Sequence, residues 1–125
     1  ALEKHLDRPY AVFGYSMGAP LGFAVVPELR HRGAPAPTQL MVAAKSAPQQ
    51  PARTPPLSHL PRQEFIEGVR RYFEPPQDGW SIAELVEIIL PALRADLTMC
   101  DMYRYRSEDP LGCPIIALGG EREVG

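Results

Sequence analysis

Residues 10–18 read Tyr10-Ala11-Val12-Phe13-Gly14-Tyr15-Ser16-Met17-Gly18, a short apolar run followed by a serine set between two glycines, G-x-S-x-G. From Ala19 to about Arg32 the pattern is helical, with Met17, Leu21, Ala24, Val25 and Leu29 on one face. Strand, sharp turn carrying Ser, then helix is the context in which G-x-S-x-G forms a nucleophile elbow. The glycines have a steric task there, because a Cβ at Gly14 or Gly18 is expected to crowd the strand or the helix. Ser16 is then presented at a helix N-terminus, where backbone N–H groups face a developing negative charge. Among those donors the Met17 N–H is the one the motif assigns to an oxyanion hole. Gly33 suits the helix C-cap, and Pro20 falls near the first turn, where its missing N–H matters little. Pro27 conflicts with a helix interior and predicts a kink or an early end.

Moving outward, Gln39 to Ala44 reads as the next parallel strand, with Lys45 and Ser46 at its C-terminal edge as solvated loop. The chain holds 15 prolines, crowded between Pro35 and Pro61, and that stretch reads as irregular. Phe65, Ile66, Val69, Tyr72 and Phe73 fall at helical spacing, and Pro75 to Gly79 breaks that helix. Ser81 and Glu84 form a capping box, with Trp80 and Leu85 as its hydrophobic staple. The helix they start runs to Leu90; Pro91 interrupts it, and another runs from Ala92 to about Tyr103. Cys113 to Leu118 is a further parallel strand, ended by Gly119-Gly120.

The fold class this defines is α/β: a partial α/β-hydrolase with a parallel sheet, a nucleophile elbow and a helical lid insertion. Residues 1–47 are the core segment with the elbow, 48–107 the lid insertion, and 108–125 the last core strand and an acid-bearing loop, all of one incomplete domain. Single α/β domains of this kind run to about 200–250 residues. The chain has 125, and Gly14 comes early in it, so an internal piece of a larger enzyme is expected.

A Ser hydroxyl needs a His base, and the His needs an acid to orient it. The chain order in this fold is Ser, then Asp or Glu, then His. His5, His31 and His59 all precede the last strand, so they read as surface or lid residues and the base is expected outside these residues. The acid is expected after Gly119-Gly120, at Glu121 or Glu123; Asp96 and Asp101 fall in a helix and rank lower. The insertion is richer in apolar side chains than a crossover needs, and Phe65 and Leu93 are expected to line a substrate channel.

Composition removes other classes. Net charge is −2, with no basic stripe interleaved with aromatics, so nucleic acid is not an expected partner. The longest apolar run, Ile88 to Leu93, is far short of a membrane span, and Ala1 to His5 does not read as a signal peptide. A cytoplasmic location is expected. Cys100 and Cys113 make neither a disulfide framework nor a zinc site and read as small buried apolar residues; no metal is expected.

The chain resembles the type II (editing) thioesterases that accompany polyketide and nonribosomal peptide synthetases. The resemblance rests on Pro9 to Ala19, on Leu29-Arg30-His31-Arg32-Gly33, and on Leu60-Pro61-Arg62-Gln63-Glu64-Phe65. It continues in Leu90-Pro91-Ala92-Leu93-Arg94-Ala95-Asp96, Tyr103-Arg104-Tyr105, Pro110 to Ile115, and Ala117 to Gly120. It implies hydrolysis of acyl thioesters on the phosphopantetheine arm of an acyl or peptidyl carrier protein, in antibiotic biosynthesis, with no cofactor of its own; a monomer is expected. Ser16 would be the nucleophile. The family's acid position corresponds to Glu123, a Glu in place of the usual Asp, with Glu121 second. Tyr15 stands where family members often have His, and Pro27 departs from the family's continuous helix. Two other readings stay open: another serine acyl hydrolase such as a small-ester esterase, and a non-catalytic fragment that docks carriers. The 125 residues alone are expected to be inactive.

Overall fold

The computed structural model describes residues 5–52, 54–73 and 83–120. The chain divides into two compact units, one made of Ala1–Gln50 with Tyr105–Gly125, the other of Pro51–Arg104. The first holds strand β1 (Val12–Tyr15), helix α1 (Gly18–His31) and strands β2 (Leu40–Ala43) and β3 (Ile115–Leu118). The second holds helices α2 (Arg62–Phe73) and α3 (Ala83–Met102).

In the sheet unit all three strands are parallel, in the order β1-β2-β3. Val12, Leu40 and Ile115 share one register level, and Tyr15, Ala43 and Leu118 share the last. β1 begins two residues later than the apolar run suggests and takes in Gly14 and Tyr15. Nor is β1 buried throughout: Val12 is half-buried and Gly14 buried, while Phe13 and Tyr15 are exposed. The alternation follows from the pleat, which sends successive side chains to opposite faces. α1 packs on β1 and β2, on the Val12 face, and no described element of this unit covers the other. β3 is exposed at all four positions.

The face of α1 that is buried is not the one the apolar spacing suggests. Ala19, Gly22, Val26 and Leu29 are buried, at intervals of three and four. Of the expected face only Leu29 is buried; Leu21 and Ala24 are exposed. At Gly22 the helix comes close to the sheet, where even a Cβ would stand 3.2 Å from Val12 Cγ1. Pro27 does not end the helix, which continues to His31. Its ring is buried, and that burial offsets part of the lost intrahelical hydrogen bond.

The end of α1 is a full Schellman turn. Gly33 is left-handed (φ 71°), its N–H donates to Arg30 O (2.9 Å), and the Ala34 N–H donates to Leu29 O (3.0 Å). The segment before β3 is fastened to the same helix. Phe23 and Tyr105 rings lie 6.2 Å apart, and Arg30 reaches both Pro110 O (2.9 Å) and the Glu108 carboxylate (3.5 Å). His31 Nε2 lies 3.7 Å from Glu108. Between α1 and β2, the Thr38 amide and hydroxyl both donate to Tyr10 O, at 2.8 and 2.9 Å. Burial pushes the Tyr10 phenol above its ordinary pKa, and Cys113 raises it further.

The helical unit has its own apolar centre: Leu57, Phe65, Val69 and Leu90, with Leu60, Ile66, Leu93 and Leu97 packed against it. Phe65 and Val69 lie one turn apart on α2, so both reach the same cluster. Pro91 does not split the second helix; α3 is continuous through it. Pro91 is exposed, so the carbonyl left without an intrahelical partner remains open to water. The capping box at Ser81 and its staple lie outside the described residues. Two charged side chains of α3 fasten the loop before α2. Arg94 donates to Ser58 O (2.5 Å) and Leu60 O (2.7 Å) and lies 4.1 Å over the Phe65 ring. Asp101 Oδ2 accepts from the Leu57 and Ser58 amides at 3.1 and 3.0 Å. Arg62 pairs with Glu87 at the surface, where an ion pair contributes at most about 1 kcal/mol. Among the described residues no helix is long and apolar enough to cross a membrane.

Candidate active site

Ser16 lies at the junction of β1 and α1 with φ 51°. Such a left-handed backbone strains any residue with a Cβ and is found mostly where surrounding structure imposes it, often at functional sites. Here two contacts impose it. The Ser16 N–H donates to Ala43 O (2.9 Å), extending the β1–β2 ladder by one rung, and the Ala19 N–H donates back to Ser16 O (3.1 Å). The chain must therefore reverse within one residue of leaving the sheet. The reversal brings Gly18 onto Gly14 so closely that a Cβ on Gly14 would sit 2.1 Å from Gly18 O and 2.7 Å from Ala19 Cα. Only a residue without a side chain fits. Gly18 differs from the expectation here, since a Cβ there meets nothing within 4 Å; it is the backbone of Gly18 that needs room, and Gly14 supplies it.

Met17 is the N-cap of α1, with helical φ −60° and ψ −32°. No described group accepts a hydrogen bond from its N–H, which points from a helix N-terminus beside the serine. Ser16 is half-buried, so its hydroxyl is neither sealed in the core nor fully solvated.

The structure thus brings together Ser16 and Met17. Of the histidines, His5 and His59 are exposed, and His31 pairs with Glu108. Glu121 and Glu123 lie outside the described residues. Phe65, expected to line a channel, is fully buried at the centre of the helical unit, clasped by Arg94. Full burial gives Phe65 a part in the core of this unit, beside Leu57, Val69 and Leu90. Leu93 is half-buried at the edge of the same cluster. Cys100 and Cys113 are half-buried and not disulfide-bonded. Sequence reasoning gives no structural role to Ala44 or Arg94 and weighs Asp101 only as a lower-ranked acid. The first carries no chemical signal at all; the last two lie far in sequence from the loop they hold.

A strained serine between a parallel strand and a helix, with a free amide after it, is the nucleophile-elbow part of an α/β-hydrolase fold. A thioesterase domain matches residues 1–122, and the chain belongs to that family. It is 38% identical over 123 residues to linear gramicidin dehydrogenase LgrE of Brevibacillus parabrevis, covering 96% of this chain and 47% of that protein. It is 36% identical over 124 residues to the gramicidin S biosynthesis protein GrsT of Aneurinibacillus migulanus, covering 99% and 48%. Among solved structures it superposes on RedJ, the thioesterase of the prodiginine pathway of Streptomyces coelicolor, with TM-score 0.79 and 37% identity over 93% of this chain and 46% of that one. The chain spans about half the length of the relatives it matches.

Proposed function

We propose that the protein containing this chain hydrolyses acyl thioesters carried on the phosphopantetheine arm of an acyl or peptidyl carrier protein, as an editing enzyme of polyketide or nonribosomal peptide synthesis. The observation that carries this reading is the strained, half-buried Ser16 beside the Met17 amide, in a thioesterase domain whose relatives include proteins of gramicidin and prodiginine biosynthesis. In the proposed reaction Ser16 Oγ attacks the thioester carbonyl and its proton passes to a histidine base, which the resemblance places after the acid. The oxyanion is held by the Met17 N–H and a second donor. The pantetheine thiol leaves with the proton from the histidine, and water then hydrolyses the acyl-enzyme by the same route. The chemistry needs no metal and no cofactor beyond the arm that presents the substrate.

Glu123 is proposed to orient the histidine, with Glu121 as the second choice. In the full-length protein Glu123→Gln should lower turnover by about 10⁴-fold by favouring the wrong tautomer, while Glu121→Gln leaves it within a few fold. The reverse result moves the acid by two residues. The helical unit is proposed as the lid that selects the acyl group, with Leu93 on the acyl path. The decisive experiment compares acyl-carrier-protein thioesters of rising chain length with free thioesters and oxygen esters, using wild type and Leu93→Ala. Carrier-bound thioesters should be the best substrates, and Leu93→Ala should shift the chain-length profile, each methylene being worth about 1–3 kcal/mol. Equal turnover of free oxygen esters would overturn the thioesterase reading in favour of a general esterase.

A further inference from the structure

Two non-glycine residues among the described ones have positive φ, Ser16 (51°) and Ala44 (54°). They are neighbours across the sheet. Tyr15 and Ala43 are register partners at the last level of β1 and β2, so Ser16 and Ala44 are the next residue on each strand. Ser16 is accounted for by the elbow. Ala44 has no motif around it and no polar side chain, yet it adopts the same strained backbone at the same sheet edge.

One peptide unit explains the coincidence. The carbonyl of the Ala43–Ala44 peptide accepts the Ser16 N–H at 2.9 Å, and the N–H of that peptide donates to Leu118 O at 3.3 Å. The plane of this one peptide therefore links the backbone of Ser16, through β2, to the C-terminal residue of β3. Had β2 continued with β-region dihedrals past Ala43, its next residues would have kept to the line of the strand, beside Ser16. The left-handed turn at Ala44 takes the chain out of the sheet directly after the linking peptide is made, toward exposed Lys45.

We infer that Ala44 is a positioning residue for Ser16: its left-handed backbone holds the Ala43–Ala44 peptide in the plane that fixes the serine amide relative to the end of β3. This inference rests on Ser16 being the nucleophile, and it concerns a dihedral angle, not a side-chain contact. A Cβ-branched residue resists positive φ, whereas Gly and Asn adopt it readily. Val and Asn are close in size, so the pair separates backbone conformation from bulk.

The test uses Ala44→Gly, Ala44→Asn and Ala44→Val in the full-length protein, with an acyl N-acetylcysteamine thioester as substrate and a fluorophosphonate as the serine probe. Gly and Asn should keep kcat within about threefold of wild type, with the Tm of the Gly variant unchanged or raised by about 2–4 °C. Val should lower kcat and the rate of fluorophosphonate labelling by about 10- to 100-fold, as small misplacements of a reacting group do, while KM stays within about twofold. Amide hydrogen exchange at Ser16 should accelerate in the Val variant alone. Val with wild-type labelling and exchange rates overturns the inference, and so does an Asn variant as impaired as Val, because the cause would then be bulk. Ser16→Ala reports separately on the proposed function: if it still labels and turns over, the nucleophile assignment has failed, and the exchange measurement at residue 16 still judges the role of Ala44.

Discussion

In the sheet unit the features that make a site are features of the main chain: the φ of Ser16, the absent side chain at Gly14, and the amide of Met17. In the helical unit the decisive features are side chains: Phe65 and Val69 filling a small core, and Arg94 and Asp101 gripping the loop from Leu57 to Leu60. The two constructions differ in what they tolerate. A main-chain site fails abruptly, because a single Cβ in the wrong place has nowhere to go. A side-chain core degrades by degrees, according to how much volume is lost and how well the remainder collapses. A binding surface that must change with its substrate is better placed on the second kind of framework than on the first.

That contrast can be broken by three measurements on the full-length protein. The largest effect belongs to Ser16→Ala, which should reduce turnover by about 10⁶-fold with little change in Tm; retention of more than a few per cent of activity would remove the sheet unit from the chemistry. Next comes Phe65→Ala, which should destabilise by about 3–5 kcal/mol in denaturant unfolding, with turnover of a short free thioester kept within a few fold where the protein is folded. A wild-type midpoint combined with a changed acyl-chain profile would return Phe65 to the channel and undo the division of labour. The smallest is Asp101→Ala. It leaves two partly buried amides without their acceptor and should cost about 1–3 kcal/mol, seen as faster hydrogen exchange at Leu57 and Ser58. Unchanged exchange at those two amides would show that the apolar cluster alone holds the loop.

The same contrast governs how much could be read in advance. The elbow was legible because its causes lie within five consecutive residues, and the parallel strands because runs such as Leu40 to Ala43 are apolar without alternation. The Gly33 cap was legible for the same local reason. The buried face of α1 was not, because apolarity ranks Leu21 above Gly22, whereas the approach of the sheet ranks them by size. Pro91 misled for a related reason: local propensity argues for a break there, and the helix runs through it; the early end that Pro27 offered as one alternative is likewise absent. The pattern around Arg94 was visible, but its purpose depends on carbonyls 34 and 36 residues earlier in the chain, and no local periodicity encodes that distance. Ala44 was silent altogether, since its importance lies in a torsion and not in its side chain.

The Schellman turn and the Arg30 contacts have one more consequence, for length and phase. α1 has 14 residues, a rise of about 21 Å, fixed at one end by the elbow and at the other by the left-handed Gly33. It acts as a ruler cut to size. Inserting a single residue between them would advance the far end by about 1.5 Å and rotate it by about 100°. Arg30 would then face away from Glu108 and Pro110, and the Gly33 turn would launch the chain in the wrong direction for β2. Natural variation along this helix should therefore be rich in exchanges of one residue for another on its exposed side, and nearly devoid of insertions and deletions.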